Sequence, residues 1–335
     1  MSETATDDAS TTGDFHVAVT GGAGYIGSRV LNRLQTTHPE WTVSAIDNFY
    51  RGDVRRVGGV EIDHVDIRER DRLEAALSGA DVVIHLAAVS GVDDCKENAD
   101  LAQAVNVQGT ANVAWFCRKT GAAMAFPFSM AVLGDPEQFP IRIDLPRDPM
   151  NWYGRTKVIG ERLVESYADG AFPAHLFMKS NLYGDHLVGE KIVTKGTVIN
   201  FFLGRALAGE PLTVYEPGTQ ARNYVHVKDV ARLYVRSAER FQRQLAAGET
   251  GAEAYAVGSD EDPSVMSVAE TVQGIATEYG LDVDVELVEN PRAGEETLVE
   301  SFEVETTPVR EQLGWEPTHS IEATIRELFE RELDS

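Results

Sequence analysis

Three glycines near the start of the chain constrain its fold most strongly. Gly21, Gly24 and Gly27 follow a short apolar stretch at 15–20 and precede a segment with helical spacing of apolar residues at 28–34. Glycines between a strand and a helix permit a tight turn, let a pyrophosphate approach the backbone, and let the helix pack closely. The spacing alone is also compatible with a glycine turn that binds nothing.

Strand and helix patterns alternate through the first half of the chain. We predict strands over 15–20, 41–47, 60–66, 81–86, 122–129 and 174–181, with helices over 70–77, 101–118 and 153–168. This alternation predicts an α/β fold with a Rossmann-type, doubly wound parallel sheet.

After about residue 182 the alternation changes, and we predict a smaller, discontinuous C-terminal domain that binds the substrate. The predicted division is a disordered acidic tail at 1–13, a dinucleotide-binding domain at 14–182 and 225–258, and a substrate domain at 183–224 and 259–335.

An aspartate narrows the choice of ligand for the glycine turn. Asp47 lies twenty residues past Gly27, at the end of the second predicted strand. A carboxylate at that point accepts hydrogen bonds from the adenosine ribose and repels a 2′-phosphate. The sequence therefore predicts NAD as the cofactor, although Arg51 nearby keeps NADP open.

A tyrosine and a lysine are candidates for proton transfer. Tyr153 and Lys157 are four residues apart in a predicted helix and so share one face. An ammonium near a phenol favours the phenolate and lowers its pKa from about 10, which suits a general base. Ser129 ends a predicted buried strand, at the sheet edge where ligands bind. Taken singly, these residues also fit a solvated helix face and a strand-end cap.

Composition excludes several classes of function. Asp and Glu total 54 against 30 Lys and Arg, so the formal net charge is −24, which disfavours binding to nucleic acid and anionic membranes. Only seven residues are lysine, which is typical of proteins from a high-salt cytoplasm, although an ordinary acidic enzyme is the alternative. No apolar run reaches the roughly 18 residues of a membrane span.

The cysteines and histidines predict no metal site. Cys95 and Cys117 form no CxxC pair, which argues against a zinc site or a disulfide framework and fits a reducing cytoplasm. The histidines show no metal-ligand spacing, and we interpret His226 as a structural residue of the core.

In order and spacing, these features resemble the extended short-chain dehydrogenase/reductases, and within them the NAD-dependent nucleotide-sugar epimerase/dehydratase group. The resemblance runs from Phe15 to about Arg331. Its most telling segments are Thr20-Gly-Gly-Ala-Gly-Tyr-Ile-Gly27, Asp66-Ile67, His85-Leu-Ala-Ala88, Tyr153-Gly-Arg-Thr-Lys157, Asn181-Leu-Tyr-Gly184 and Arg222-Asn-Tyr-Val-His-Val227.

The resemblance implies NAD as cofactor, a nucleotide sugar as substrate, and a homodimer. It implies catalytic roles for Ser129, Tyr153 and Lys157. The implied cofactor contacts are Gly21, Gly24, Tyr25, Ile26, Gly27, Asp47, Asn48, Asp66, Ile67, Leu86, Ala87, Ala88, Asn106, Tyr153 and Lys157. The implied substrate contacts are Ser129, Asn181, Arg222 and Arg292.

The residues after Ser129 bear on the reaction. Dehydratases of the group usually carry Asp-Glu where this chain has Met130 and Ala131, and decarboxylases commonly carry Glu at the second position. The resemblance therefore favours 4-epimerisation of a UDP-hexose through a transient 4-keto intermediate, of the UDP-glucose 4-epimerase type. A net NAD-dependent dehydrogenase, reductase or dehydratase acting on a sugar or sugar nucleotide is the alternative, followed by a non-enzymatic NAD-binding protein.

Overall fold

A twisted parallel sheet forms the centre of the protein. The computed structural model describes residues 15–291, 294 and 297–333, and within these ranges the largest sheet has eight strands in the order β13-β7-β6-β5-β1-β2-β4-β3. Neighbouring strands are parallel except the edge pair β3–β4. The predicted tail at 1–13 and Arg292 lie outside the described residues.

The strands of the large sheet are β1 (His16–Thr20), β2 (Thr42–Asp47), β3 (Arg56–Val57), β4 (Val60–His64), β5 (Val82–His85), β6 (Ala123–Ser129), β7 (Pro173–Lys179) and, after the shorter strands, β13 (Gly251–Val257). The shorter strands pair two by two: β8 (Asn181–Tyr183) with β12 (Tyr224–His226), β9 (His186–Val188) with β10 (Lys191–Val193), and β11 (Leu212–Tyr215) with β14 (Val285–Val288).

The helices are α1 (Tyr25–Thr37), α2 (Arg70–Ala76), α3 (Val92–Glu97), α4 (Ala99–Gln103), α5 (Thr110–Thr120), α6 (Trp152–Ala168), α7 (Val198–Leu207), α8 (Val227–Ala247), α9 (Val265–Glu278), α10 (Thr307–Leu313) and α11 (Ile321–Leu333). A π-helical segment, Ala104–Gly109, joins α4 to α5, and a 3₁₀ turn, Met130–Val132, follows β6.

Helices cover both faces of the large sheet. On one face, α5 and α6 bury Phe116 and Val164 against Phe126 of β6. On the other, α1 and α8 bury Leu31 and Phe241 together with strand residues. A sheet covered on both sides by helices is a doubly wound α/β fold, so the predicted fold class is confirmed.

A further apolar cluster lies apart from these two layers. It joins α7, α9 and α11 to β11, with Phe202, Val272 and Ile325 among its members. All its buried members come from 183–224 and 259–335, the ranges of the predicted substrate domain, and the domain division stays a prediction. In contrast, Val309 of α10 and Trp315 pack into the layer of α1 and α8.

Two predicted elements differ from the structure in their continuity or extent. The helix expected over 101–118 is interrupted by the π-helical segment, which changes the hydrogen-bond spacing without changing the apolar pattern. The strand expected over 174–181 ends at Lys179, because Ser180 N–H bonds to Val257 O of β13 whereas Asn181 N–H bonds to Asn223 O. Consequently β12 joins β8 in a separate two-stranded sheet and not the large one.

In the described ranges, no helix combines the length and the apolar character that crossing a bilayer requires.

A buried ion pair fixes the loop before α6. Arg147 donates to both carboxylate oxygens of Glu161 on α6, at 2.7 and 3.0 Å, and the two side chains are only 10% and 2% exposed. The same guanidinium donates to the carbonyls of Ile143 and Leu145. The pair therefore ties the loop to the helix that carries Tyr153.

We expect Arg147→Ala to lower the free energy of unfolding by about 3 kcal/mol, because it leaves the Glu161 carboxylate buried without a partner. The matched control is Arg162→Ala, which removes an exposed pair with Glu165 on the same helix and should cost below about 1 kcal/mol. Denaturant unfolding measures both. Equal losses for the two variants would contradict the structural role of the buried pair.

Candidate active site

Two of the three motif glycines, Gly21 and Gly27, have no room for a side chain. Gly21 has a φ of 75°, and a Cβ there would lie 2.6 Å from the backbone nitrogen of Ala87. A Cβ at Gly27 would lie 2.1 Å from the carbonyl oxygen of Gly21. The turn after β1, the loop after β5 and the first turn of α1 therefore meet in direct backbone contact.

The middle glycine has a different environment. A Cβ at Gly24 would touch only Gly21 O, at an ordinary 3.4 Å, so packing among the described residues does not demand a glycine there. Gly24 is also the N-cap of α1, and no side chain caps that helix. The first N–H groups of a helix need partners and favour an anion, so this turn fits a pyrophosphate.

A cleft of about 640 Å³ opens in front of this turn. Among the predicted cofactor residues, its walls include Gly21, Gly24, Tyr25, Ile26, Gly27, Asp47, Asn48, Ile67, Leu86, Ala87 and Ala88. Residues 191–196, from β10 and the loop that follows it, form another side. We call this space the cofactor cleft.

Asp47 is held in place at the end of β2. One carboxylate oxygen accepts the N–H of Ala23 at 3.0 Å and the other accepts the N–H of Phe49 at 2.8 Å. Burial raises the pKa of Asp47 above its ordinary value. The carboxylate thereby joins the glycine turn to β2, on the cleft wall where a ribose contact is predicted.

Asp66 lies behind the cleft wall. Its carboxylate accepts hydrogen bonds from Asn48 at 3.0 Å and from the Arg68 guanidinium at 2.7 Å. The Arg68 guanidinium holds the pKa of Asp66 well below its usual range. Asn48 itself lines the cleft, so Asp66 positions Asn48. Arg51, at the cleft mouth, forms an ion pair with Asp94.

Asn106 supports the opposite wall from the π-helical segment. Its side-chain amide accepts the N–H of Val89 at 2.9 Å and donates to the carbonyl of the same residue, also at 2.9 Å. It donates further to Thr156 of α6, at 3.1 Å. The segment between β5 and α3 is thus fixed to the helix that carries the candidate catalytic residues.

Ser129, Tyr153 and Lys157 come together at the carboxyl end of β6. Ser129 Oγ accepts the N–H of Ala131, at 3.2 Å, and the Ser129 hydroxyl lies close to that of Tyr153. A Cβ at Gly154 would lie 2.5 Å from Ala131 O, so α6 begins in contact with the turn after β6.

Burial dominates the electrostatics of this group. It raises the pKa of Tyr153 to about 12, although the nearby Ser129 hydroxyl opposes the shift. Lys157 is 6% exposed, and burial lowers its pKa to about 8. Its Nζ lies 6.0 Å from the centroid of the Tyr153 ring and 3.5 Å from Pro127 O. The predicted lowering of the Tyr153 pKa by Lys157 is therefore wrong for this arrangement, because desolvation disfavours the phenolate and Lys157 is not among the groups that shift this pKa.

Two further lysines lie near this group, and the sequence analysis missed both. Lys179 ends β7 and pairs in register with Ser129 of β6. Lys195 donates to Ser90 Oγ at 2.9 Å and lines the cofactor cleft. Burial lowers the pKa of Lys179 to about 7, and repulsion from Lys157 and Lys195 adds to the shift. The sequence carries one signal for Lys179, since it ends an apolar strand in a chain that has only seven lysines.

The predicted substrate residues lie where β8 meets β12. Asn181 is exposed, and both its backbone N–H and its side-chain amide donate to Asn223 O, at 3.1 and 3.2 Å. Arg222 directly precedes Asn223 and donates to Ala221 O at 2.8 Å. The strand pairing therefore brings Asn181 and the Arg222 segment together, whereas Arg292 is outside the described residues.

His226 is the N-cap of α8. Its Nδ1 accepts the N–H of Lys228 at 3.0 Å, and its ring stacks on His319 with centroids 4.3 Å apart. His226 is buried and its Nδ1 is occupied by this cap, which agrees with the interpretation of His226 as a structural residue of the core. Nowhere in the described part of the chain do three His, Cys, Asp or Glu side chains cluster in a way that could hold a metal ion.

A Rossmann-type sheet with a pyrophosphate turn and a Ser-Tyr-Lys group defines an NAD-binding enzyme class of the short-chain dehydrogenase/reductase type. The sequence profile of the NAD dependent epimerase/dehydratase family matches residues 17–258. The chain belongs to this family, and NAD is its cofactor.

Relatives with assigned activities span nearly the whole chain. A putative UDP-glucose 4-epimerase of Methanocaldococcus jannaschii is 28% identical over 92% of this chain and 96% of its own. The low-salt glycan biosynthesis protein Agl12 of Haloferax volcanii is 30% identical over 91% and 94%. The UDP-glucose 4-epimerase of Thermus thermophilus, solved with NAD, is 26% identical with a TM-score of 0.76, over 93% and 97%. UDP-glucuronic acid decarboxylases of Arabidopsis thaliana are also related.

We expect Asp47→Asn to weaken NAD binding at least about tenfold and to raise the NADP-to-NAD affinity ratio, because the charge that repels a 2′-phosphate is removed. Calorimetric titration of both cofactors measures the ratio, which is insensitive to a general loss of folded protein. Asp63→Asn, an exposed change on the adjacent strand β4, is the matched control. An unchanged ratio would show that Asp47 does not contact the adenosine ribose.

Proposed function

We propose that this enzyme is a nucleotide-sugar epimerase that inverts C4 of a UDP-hexose through a transient 4-keto intermediate. The observation that carries the proposal is the assembly of Ser129, Tyr153 and Lys157 at the carboxyl end of β6, with Met130 and Ala131 directly after Ser129 in the chain. These last two residues supply no acid to protonate a leaving hydroxyl, which argues against dehydration.

The proposed proton acceptor is Tyr153. It takes the proton of the sugar 4-hydroxyl while Ser129 donates a hydrogen bond to the developing alkoxide. NAD, when bound, supplies the redox chemistry, which is acceptance of the hydride from C4 and its later return to C4. Tyr153 accepts this proton only as the phenolate. Because burial raises its pKa to about 12, the phenolate needs a nearby positive charge, and Lys157 is the nearest candidate on the same helix.

Substrate contacts follow the strand pairing. We propose that Asn181 and Arg222 bind the diphosphate of the sugar nucleotide, together with Arg292, since guanidinium groups match phosphate oxygens in geometry. The named activities of the Methanocaldococcus and Thermus relatives support a UDP-hexose as the substrate. The decarboxylase relatives widen the class of sugars to be tested.

Three properties of the whole protein complete the proposal. We propose a cytoplasmic enzyme, in keeping with its two free, buried cysteines. We propose a homodimer, on the family resemblance. We also propose adaptation to high salt, since the net charge of −24 is accompanied by few lysines and the 30% identical relative comes from Haloferax volcanii.

The test is an assay of the purified protein, without added NAD, with UDP-glucose, UDP-galactose, their N-acetyl counterparts and UDP-glucuronate. We expect interconversion with no net formation of NADH. Tyr153→Phe should lower kcat by about 10² to 10⁴ while NAD binding is kept, because only the proton acceptor is lost. Tyr167→Phe, at the far end of α6, is the matched control.

Three results would contradict parts of the proposal. Failure to interconvert any of these sugars, UDP-glucuronate included, would remove the epimerase assignment. Stoichiometric NADH formation would indicate a net dehydrogenase instead. Full turnover by Tyr153→Phe would exclude Tyr153 as the proton acceptor.

We expect the melting temperature to rise when KCl is increased from 0.1 M to 1 M, because the screening length falls from about 10 Å to about 3 Å and the acidic surface repels itself less. Differential scanning calorimetry measures the shift. Sucrose at matched osmolality, which does not screen charge, is the control. A constant or falling melting temperature would contradict adaptation to high salt.

A further inference from the structure

Lys179 is a buried cation that the proposed proton transfer does not use. Its backbone pairs in register with Ser129 on one side and with Val257 on the other. Side chains at directly opposed positions of neighbouring strands share one face of the sheet, with backbones about 4.8 Å apart. Lys179 therefore stands beside the serine that is proposed to contact the sugar 4-hydroxyl.

The surroundings of Lys179 lack a negative charge. Its side chain is 8% exposed. The charged groups that act on its pKa are the ammoniums of Lys157 and Lys195, and both lower it. Among residues 15–291, 294 and 297–333, no carboxylate lies within ion-pairing distance of Lys179 Nζ, although the chain has 54 acidic residues and pairs other lysines, such as Lys228, with them.

An ammonium buried without a counter-charge is costly, so a fold retains one where a ligand supplies the missing anion. The position of Ser129 on the neighbouring strand indicates which part of the ligand carries that anion. In the proposed reaction Ser129 contacts the 4-hydroxyl of the sugar, so an anion that pairs with Lys179 belongs on a ring carbon next to C4. C5 is such a carbon and carries the exocyclic C6, where a hexuronate has its carboxylate. The diphosphate, in contrast, is attached at the anomeric carbon, which is not a neighbour of C4.

We propose that Lys179 determines substrate specificity by pairing with a carboxylate at C6 of the sugar, so that the preferred substrate is a nucleotide-linked hexuronate. This inference rests on the proposed 4-epimerisation and adds the class of sugar to it. The reaction is unchanged: Lys179 binds the carboxylate and takes no part in the proton or hydride transfer.

The test compares UDP-glucuronate, UDP-glucose and UDP as ligands of the NAD-loaded protein, by calorimetric titration and by kcat/KM for the two sugars. We expect the wild type to favour UDP-glucuronate over UDP-glucose at least about tenfold, the effect of one charged hydrogen bond. Lys179→Met should remove this preference and leave the affinity for UDP within about twofold, since UDP carries no carboxylate.

Two variants accompany Lys179→Met. Lys179→Arg keeps the charge and should retain part of the preference for UDP-glucuronate, which also provides a folded variant if the methionine substitution destabilises the strand. Lys119→Met removes an exposed lysine that pairs with Glu74 and should leave all affinities unchanged.

Each outcome either supports or overturns the inference. No preference for UDP-glucuronate in the wild type, or an unchanged preference in Lys179→Met, overturns it. An equal loss of affinity for UDP and both sugars shows that Lys179 binds the diphosphate, which also overturns it. If the binding preference depends on Lys179 but neither sugar is epimerised, the proposed reaction fails and the carboxylate contact stands.

Discussion

Parallel pairing in register between β6 and β7 sets Ser129 beside Lys179, and the same sheet edge carries Asp47 at the end of β2. The site depends on this shared edge, because carboxyl ends of parallel strands lie together and their loops all leave on one side. Two close backbone approaches then fix the helices. Gly27 lets α1 begin against the turn after β1, and Gly154 lets α6 begin against the turn after β6.

The polar connections behind the site are as important as the residues that face it. Asn106 joins the loop after β5 to α6, and Arg147 joins the loop before α6 to Glu161. Both side chains bond to backbone carbonyls as well as to side chains, so each holds an irregular segment that has no strand partner. Asn106 and Arg147, which do not line the cleft, therefore fix the residues of the site in place through buried hydrogen bonds.

Local sequence patterns predicted those parts of the structure that depend on neighbours in the chain. The glycine spacing, the interval to Asp47 and the interval between Tyr153 and Lys157 each lie within one βα unit or one helical turn. Features that depend on distant partners were not predictable in this way. The chain changes partner between Ser180 and Asn181, from β13 to β12, and nothing in its apolar pattern marks the change.

Burial is also the reason why the electrostatics were misjudged from the sequence. Spacing places an ammonium near a phenol, but it does not show that both are desolvated, and desolvation favours the neutral form of each. The pKa of Tyr153 rises to about 12 while the pKa of Lys157 falls to about 8. Groups buried in this way respond to the charge of whatever binds beside them, because an anion raises the pKa of a lysine and a cation lowers the pKa of a phenol. Lys157, Lys179 and Lys195 lie near one another in a protein with a net charge of −24, so the charge of a bound ligand shifts the protonation of this group of lysines.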